Sequence, residues 1–158
     1  MDKYLVILID SLNKKNNILD EISEICDKQD IKLEADDFSL EEYNDLMTRK
    51  GELIDEMNKQ DDGFTALYTR VSAMLKQSTA DYREPIKKMQ ALVQEISEKT
   101  ALIQAKEMRI QSRVDQILSS SYSKGARHVV KSDAAQRYSR IMKQTNVRTP
   151  SIFLDSKK

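Results

Sequence analysis

Side chains able to do covalent or acid-base chemistry are scarce in this chain. There is one cysteine, Cys26, and one histidine, His128, and with three glycines there is no glycine-rich phosphate loop. An enzyme needs acid, base, nucleophile or metal groups that converge. His128 sits in Ala126-Arg127-His128-Val129-Val130 and reads as a surface or tail-packing residue. Cys26 follows Ile25 on an apolar helical face and reads as a small buried hydrophobe. A single cysteine excludes an intrachain disulfide and a cysteine zinc cluster, and suits a reducing compartment. The acidic pairs Asp36-Asp37, Glu41-Glu42 and Asp61-Asp62 lack the alternating ligands and glycine of a calcium loop. They read as loop, first-turn and surface charges. No catalytic, cofactor-binding or metal-ligating residue is assigned, and neither enzymatic activity nor a cofactor is expected.

Binding chemistry is better represented. Lys124, Arg127, Lys131, Arg137, Arg140, Lys143 and Arg148 interleave with Tyr122 and Tyr138, a set that can contact phosphates and stack on bases. The rest of the chain opposes that use. Residues 1–38 carry 5 basic and 10 acidic side chains, residues 39–81 carry 5 and 9, residues 82–118 carry 7 and 5, and residues 119–158 carry 9 and 2. An acidic body bearing a basic tail repels a polyanion, and no nucleic-acid reading module is present, so nucleic acid is not an expected partner. The tail either lies along its own acidic helices or is presented to an acidic partner.

The elements that position these residues are helical. Tyr82, Ile86, Met89, Val93, Ile96, Thr100, Ile103, Glu107, Ile110, Val114 and Ile117 recur at alternating spacings of four and three, the seam of a helix roughly 55 Å long. Only Thr100 and Glu107 are polar on that seam. As register-fixing residues they predict that Glu107→Leu raises thermal stability while loosening register or oligomer choice. So narrow a stripe has to be buried by other long helices. The fold class is therefore all-α, an elongated antiparallel helical hairpin or three-helix coiled-coil bundle with a short C-terminal helix or tail. The bundle is assigned to residues 1–120 and the basic tail to residues 121–158.

The first helix is predicted from about Asp2 to Asp30, with a stripe of Leu5, Leu8, Leu12, Leu19, Ile22 and Cys26 interrupted by Lys15 and Asn16. Residues 4–9 are apolar around the whole circumference, so that end should be covered on more than one side, by the tail or by a second protomer; a homodimer is an expected possibility. This run is too short to span a bilayer or to act as a signal peptide, and the chain reads as soluble and cytoplasmic. Residues 31–38 read as a loop. Ser39 with Glu42 forms a capping box, flanked by the hydrophobic staple Phe38 and Tyr43. The second helix then runs to about Gln77, and its heptad phase passes unchanged through Asp61-Asp62-Gly63, which otherwise suits a break. Residues 78–84 reverse the chain, with Pro85 in the first turn of the third helix.

Beyond Leu118 the serines and Gly125 mark a linker or a frayed end. Asp133 with Gln136 caps a short amphipathic segment bearing Ala134, Tyr138, Ile141 and Met142, and Ile152-Phe153 form a small apolar tag. A helix that short is marginal alone and must dock on something. Partner binding is assigned to Tyr122, Val129, Val130, Ala134, Tyr138, Ile141, Met142, Ile152 and Phe153.

The order of parts resembles the FlgN-type flagellar export chaperones and, further off, the FliT type. The residues carrying it are Leu12, Lys15, Ile18, Leu19 and Ile22 in the first helix, then Asp37-Phe38-Ser39, then Arg49-Lys50-Gly51-Glu52-Leu53-Ile54. Phe64 to Val71, the long third helix and the polar stretch Ser121-Tyr122-Ser123-Lys124-Gly125 complete it. The resemblance implies a cytoplasmic chaperone that binds unassembled hook-filament junction proteins and delivers them to the export gate components. A client's helical segment would lie in a groove between helices. The runner-up is a coiled-coil adaptor or structural protein acting by self-association.

Overall fold

The computed structural model describes residues 3–35, 38–77, 80–121 and Tyr138. It contains three helices, α1 (Lys3–Glu34), α2 (Leu40–Gln77) and α3 (Arg83–Ser121), about 48, 57 and 58 Å long at 1.5 Å per residue. Every described element is helical, in the all-α arrangement expected from the periodicity. Both α2 and α3 pack along α1. Cross-helix pairs fix the directions. Lys15 meets Asp61 and Lys32 meets Glu42, so α2 runs antiparallel to α1. Asp20 meets Lys99 and Asp30 meets Arg109, so α3 returns parallel to it.

The same spacing of three and four that defines α3 holds in the other two helices once their buried polar residues are counted. In α1 the buried seam is Leu5, Leu8, Leu12, Lys15, Leu19, Ile22, Cys26, Gln29 and Leu33. In α2 it is Tyr43, Met47, Lys50, Ile54, Met57, Asp61, Phe64, Val71 and Leu75, with half-buried Tyr68 keeping the phase. Knobs at this spacing keep one face turned to the neighbour over the whole length of a supercoiled helix.

Helix ends follow local chemistry. The Glu42 N–H donates to Ser39 Oγ at 3.3 Å, and the Phe38 and Tyr43 rings meet at 5.9 Å between centroids, so the Ser39 N-cap and the staple form. The turn before α3 closes with the Ile86 N–H donating to the Tyr82 carbonyl at 3.0 Å. Pro85 falls in the first turn, where its missing N–H removes no helical bond.

Two expectations need correction. First, α1 runs to Glu34 and not to Asp30. Leu33 continues the heptad and is buried, and the Arg113 guanidinium donates to its carbonyl at 3.2 Å. Second, Asp61 is not a surface charge. It is buried against Lys15, Nζ to Oδ1 2.7 Å, and α2 continues through it without a break. The described residues cover the N-terminal end of α1 on one side, and the further cover expected there, from the tail or a second protomer, lies outside them. Leu5, Leu8 and Ile9 are buried, while Val6 and Ile7 remain about half exposed at 51% and 52%. No helix among the described residues is long and apolar enough to cross a membrane.

Parallel packing of α3 on α1 is edged by ion pairs spaced seven and then three residues apart on both helices. Lys99 reaches Asp20 at 2.7 Å, Lys106 reaches Asp27 at 2.7 Å and Arg109 reaches Asp30 at 3.1 Å. With at least one partner of each pair exposed, these contribute little stability and act mainly on orientation and register.

Gly63 lies inside α2, and a Cβ built on it meets no atom within 4 Å. Gly63→Ala should therefore stabilise the protein by about 1 kcal/mol, the helix-propensity difference. Thermal denaturation should show a rise of about 2–4 °C in Tm.

Candidate functional site

The interior of a heptad bundle is an expensive place for an ammonium group, and Lys50 lies there with 0% exposure. Projecting from α2, it is held by the two other helices and one residue of the tail. From α1, Gln29 Oε1 accepts from Lys50 Nζ at 2.5 Å and Cys26 Sγ lies 3.9 Å away. From α3, Glu107 Oε1 forms the ion pair with Lys50. From the tail, the Tyr138 ring sits under the ammonium with its centroid 5.1 Å from Nζ, a cation–π distance.

Glu107 Oε1 is the hub of this layer. Besides the Lys50 ammonium it accepts from the Tyr138 hydroxyl at 2.5 Å and from the Cys26 thiol at 3.0 Å. Donors from all three other segments thus converge on one carboxylate oxygen, which suits a partly buried anion. The Gln29 amide nitrogen, also buried, has no acceptor among the described residues.

This environment decides the chemistry of Cys26. Burial, with the Glu107 charge and hydrogen bond adding to it, outweighs the attraction of Lys50 and pushes the thiol up to about 12. At neutral pH it is a thiol and a donor, not a thiolate nucleophile. Burial likewise pushes the Tyr138 and Tyr43 phenols well above their ordinary value, so Tyr138 meets Glu107 as a neutral O–H. Among the described residues no group of three or more His, Cys, Asp or Glu side chains is placed to hold a metal ion.

Of the partner-binding residues expected from the tail, Tyr138 is placed here, helical and 1% exposed. Its position on the protein's own bundle answers where at least this residue docks. Tyr122, Val129, Val130, Ala134, Ile141, Met142, Ile152 and Phe153 lie outside the described residues, as does His128. Cys26 is buried as its position suggests, but among polar partners. Lys50 and Gln29 are the site residues that the sequence reading passed over. Their signal was register, since Lys50 stands three residues after Met47 and four before Ile54 on an otherwise apolar seam.

Comparison with family models, with curated proteins and with solved structures finds no match to this chain.

Glu107 is not a lone polar residue, and the expectation that leucine there stabilises the protein reverses. Glu107→Leu should cost about 3–5 kcal/mol, because it leaves the Lys50 charge buried and unpaired. Adding Lys50→Met should recover most of that loss, which a double-mutant cycle in denaturant unfolding would reveal.

The thiol gives a pH dependence of defined sign. Its folded value, about 12, lies above the ordinary 9.0, so the folded state holds the proton more tightly and stability is lost as pH rises through that window. Urea midpoints measured upward from pH 9 should fall, and less steeply for Cys26→Ala over its first unit.

Proposed function

We propose that this chain is a non-enzymatic, cytoplasmic helical binding protein of the export-chaperone kind. Its client would be an unassembled hook-filament junction protein, shielded from polymerisation and delivered to the export apparatus. The observation that carries the reading is Tyr138: a residue from beyond the three-helix bundle is 1% exposed inside it and hydrogen-bonded to Glu107. A bundle whose polar layer is completed by a segment outside its three helices has a position that a client helix can take in its place. The thiol at the centre of that layer is held protonated, which suits binding and not covalent chemistry. The sequence likeness to FlgN-type chaperones supplies the client class.

Self-association as a coiled-coil adaptor is the second reading, favoured by the half-exposed Val6 and Ile7 of α1. Light scattering on size-exclusion peaks separates the two. The full chain should elute as a monomer and shift to a stable complex with a purified hook-filament junction protein. A dimer that ignores the junction protein would favour the adaptor, and no complex under any condition would remove the chaperone reading.

A further inference from the structure

Tyr138 is held by both of its distinctive groups. The ring centroid lies 5.1 Å from the Lys50 ammonium, and the hydroxyl donates at 2.5 Å to Glu107 Oε1, the oxygen that also pairs with Lys50. The Cys26 thiol, itself a donor to the same oxygen, forms the third wall. Phenylalanine offers the cation a similar face but leaves a partly buried carboxylate short of one donor. An aliphatic side chain satisfies neither charge. Among ordinary side chains tyrosine alone combines a π face for the cation with a hydroxyl aligned along the ring axis for the anion.

We propose that Cys26, Lys50 and Glu107 form a tyrosine-selective socket, and that a partner protein is recognised when its helix presents a tyrosine there in place of Tyr138. This rests on the binding role proposed above and specifies the client's chemistry: an amphipathic helix with a tyrosine on its apolar face. Discrimination arises because Lys50 and Glu107 are already paired with each other, and Glu107 Oε1 loses one of its three donors when the phenol is absent. A segment bearing phenylalanine enters with the same shape and leaves Glu107 less satisfied, the situation in which a buried polar site rejects an analogue most strongly. The slot thus reads one hydroxyl, and the apolar flanks of the incoming helix supply general affinity.

The socket is tested first with small probes. In the full chain carrying Tyr138→Ala, p-cresol should bind roughly ten- to a hundred-fold more tightly than toluene, the range for one hydrogen bond to a charged acceptor. It should also restore the slow Cys26 alkylation of the parent chain. Equal binding of the two probes, or tighter binding of toluene, overturns the selectivity. The second arm adds a synthetic peptide of residues 131–145 to the same variant. The peptide should bind and protect Cys26, and its Tyr138→Phe form should bind at least tenfold more weakly. Absence of peptide binding would make the socket purely intramolecular and overturn recognition of a partner. Should Tyr138→Ala fail to fold, Tyr138→Phe in the full chain serves: alkylation of Cys26 faster than in the parent by tenfold or more supports the socket, and an unchanged rate overturns it. Failure of these arms is distinct from failure of the chaperone reading, which falls only if a junction protein does not bind the unaltered chain.

Discussion

The buried charge of Lys50 is the constraint on which the bundle depends. An ammonium group removed from water in the middle of an apolar seam is tolerable only where an anion and further acceptors meet it. Glu107 from α3 and Gln29 from α1 do so. Sliding α2 by one heptad would set Lys50 against the apolar layers of Ile22 or Leu33 and strand Glu107 as well. The heptad repeat alone permits such slips, since every layer of leucine and isoleucine resembles the next. One charged layer removes that degeneracy.

A second buried pair makes the arrangement singular. Lys15 and Asp61 meet at 2.7 Å. Cys26 follows Lys15 by eleven residues, and Asp61 follows Lys50 by eleven, a separation of about 16 Å along either helix. Antiparallel packing of α1 and α2 therefore brings both polar positions of one helix to the polar positions of the other at once. Parallel packing would place Lys15 beside Lys50 and leave Asp61 without its cation. Orientation is thus encoded by which polar residue stands at which seam position, while the apolar positions supply the burial that holds the helices together.

The polar layer also joins conformation to binding. A bundle held only by apolar seams accepts many side chains with little preference, whereas a hydrogen-bonded layer demands a specific complement. Tyr138 provides that complement here, its phenol bonded to Glu107 in the bundle. The exposed ion pairs between α1 and α3 act differently. They lie outside the seam, are screened by water and salt, and bias α3 toward its parallel position on α1.

Much of the fold was legible in the sequence because its causes are local or periodic. The three and four spacing of Ile86 to Val114, the Ser39 and Glu42 cap with its Phe38 and Tyr43 staple, and the placing of Pro85 in a first turn each follow from residues close along the chain. The heptad phase through Gly63 likewise indicated one unbroken α2. The extension of α1 to Glu34 was not legible, because it depends on Leu33 reaching the seam and on Arg113, eighty positions later, meeting its carbonyl. The site was hidden for the same reason. Lys15, Lys50 and Asp61 look like ordinary surface charges of amphipathic helices, and Glu107 like an isolated defect, until packing brings each to its partner. Sequence determined the helices, their seams and the positions of the polar interruptions. Tertiary structure decided which interruptions face one another, since that pairing is a property of register between helices and has no counterpart within any one of them.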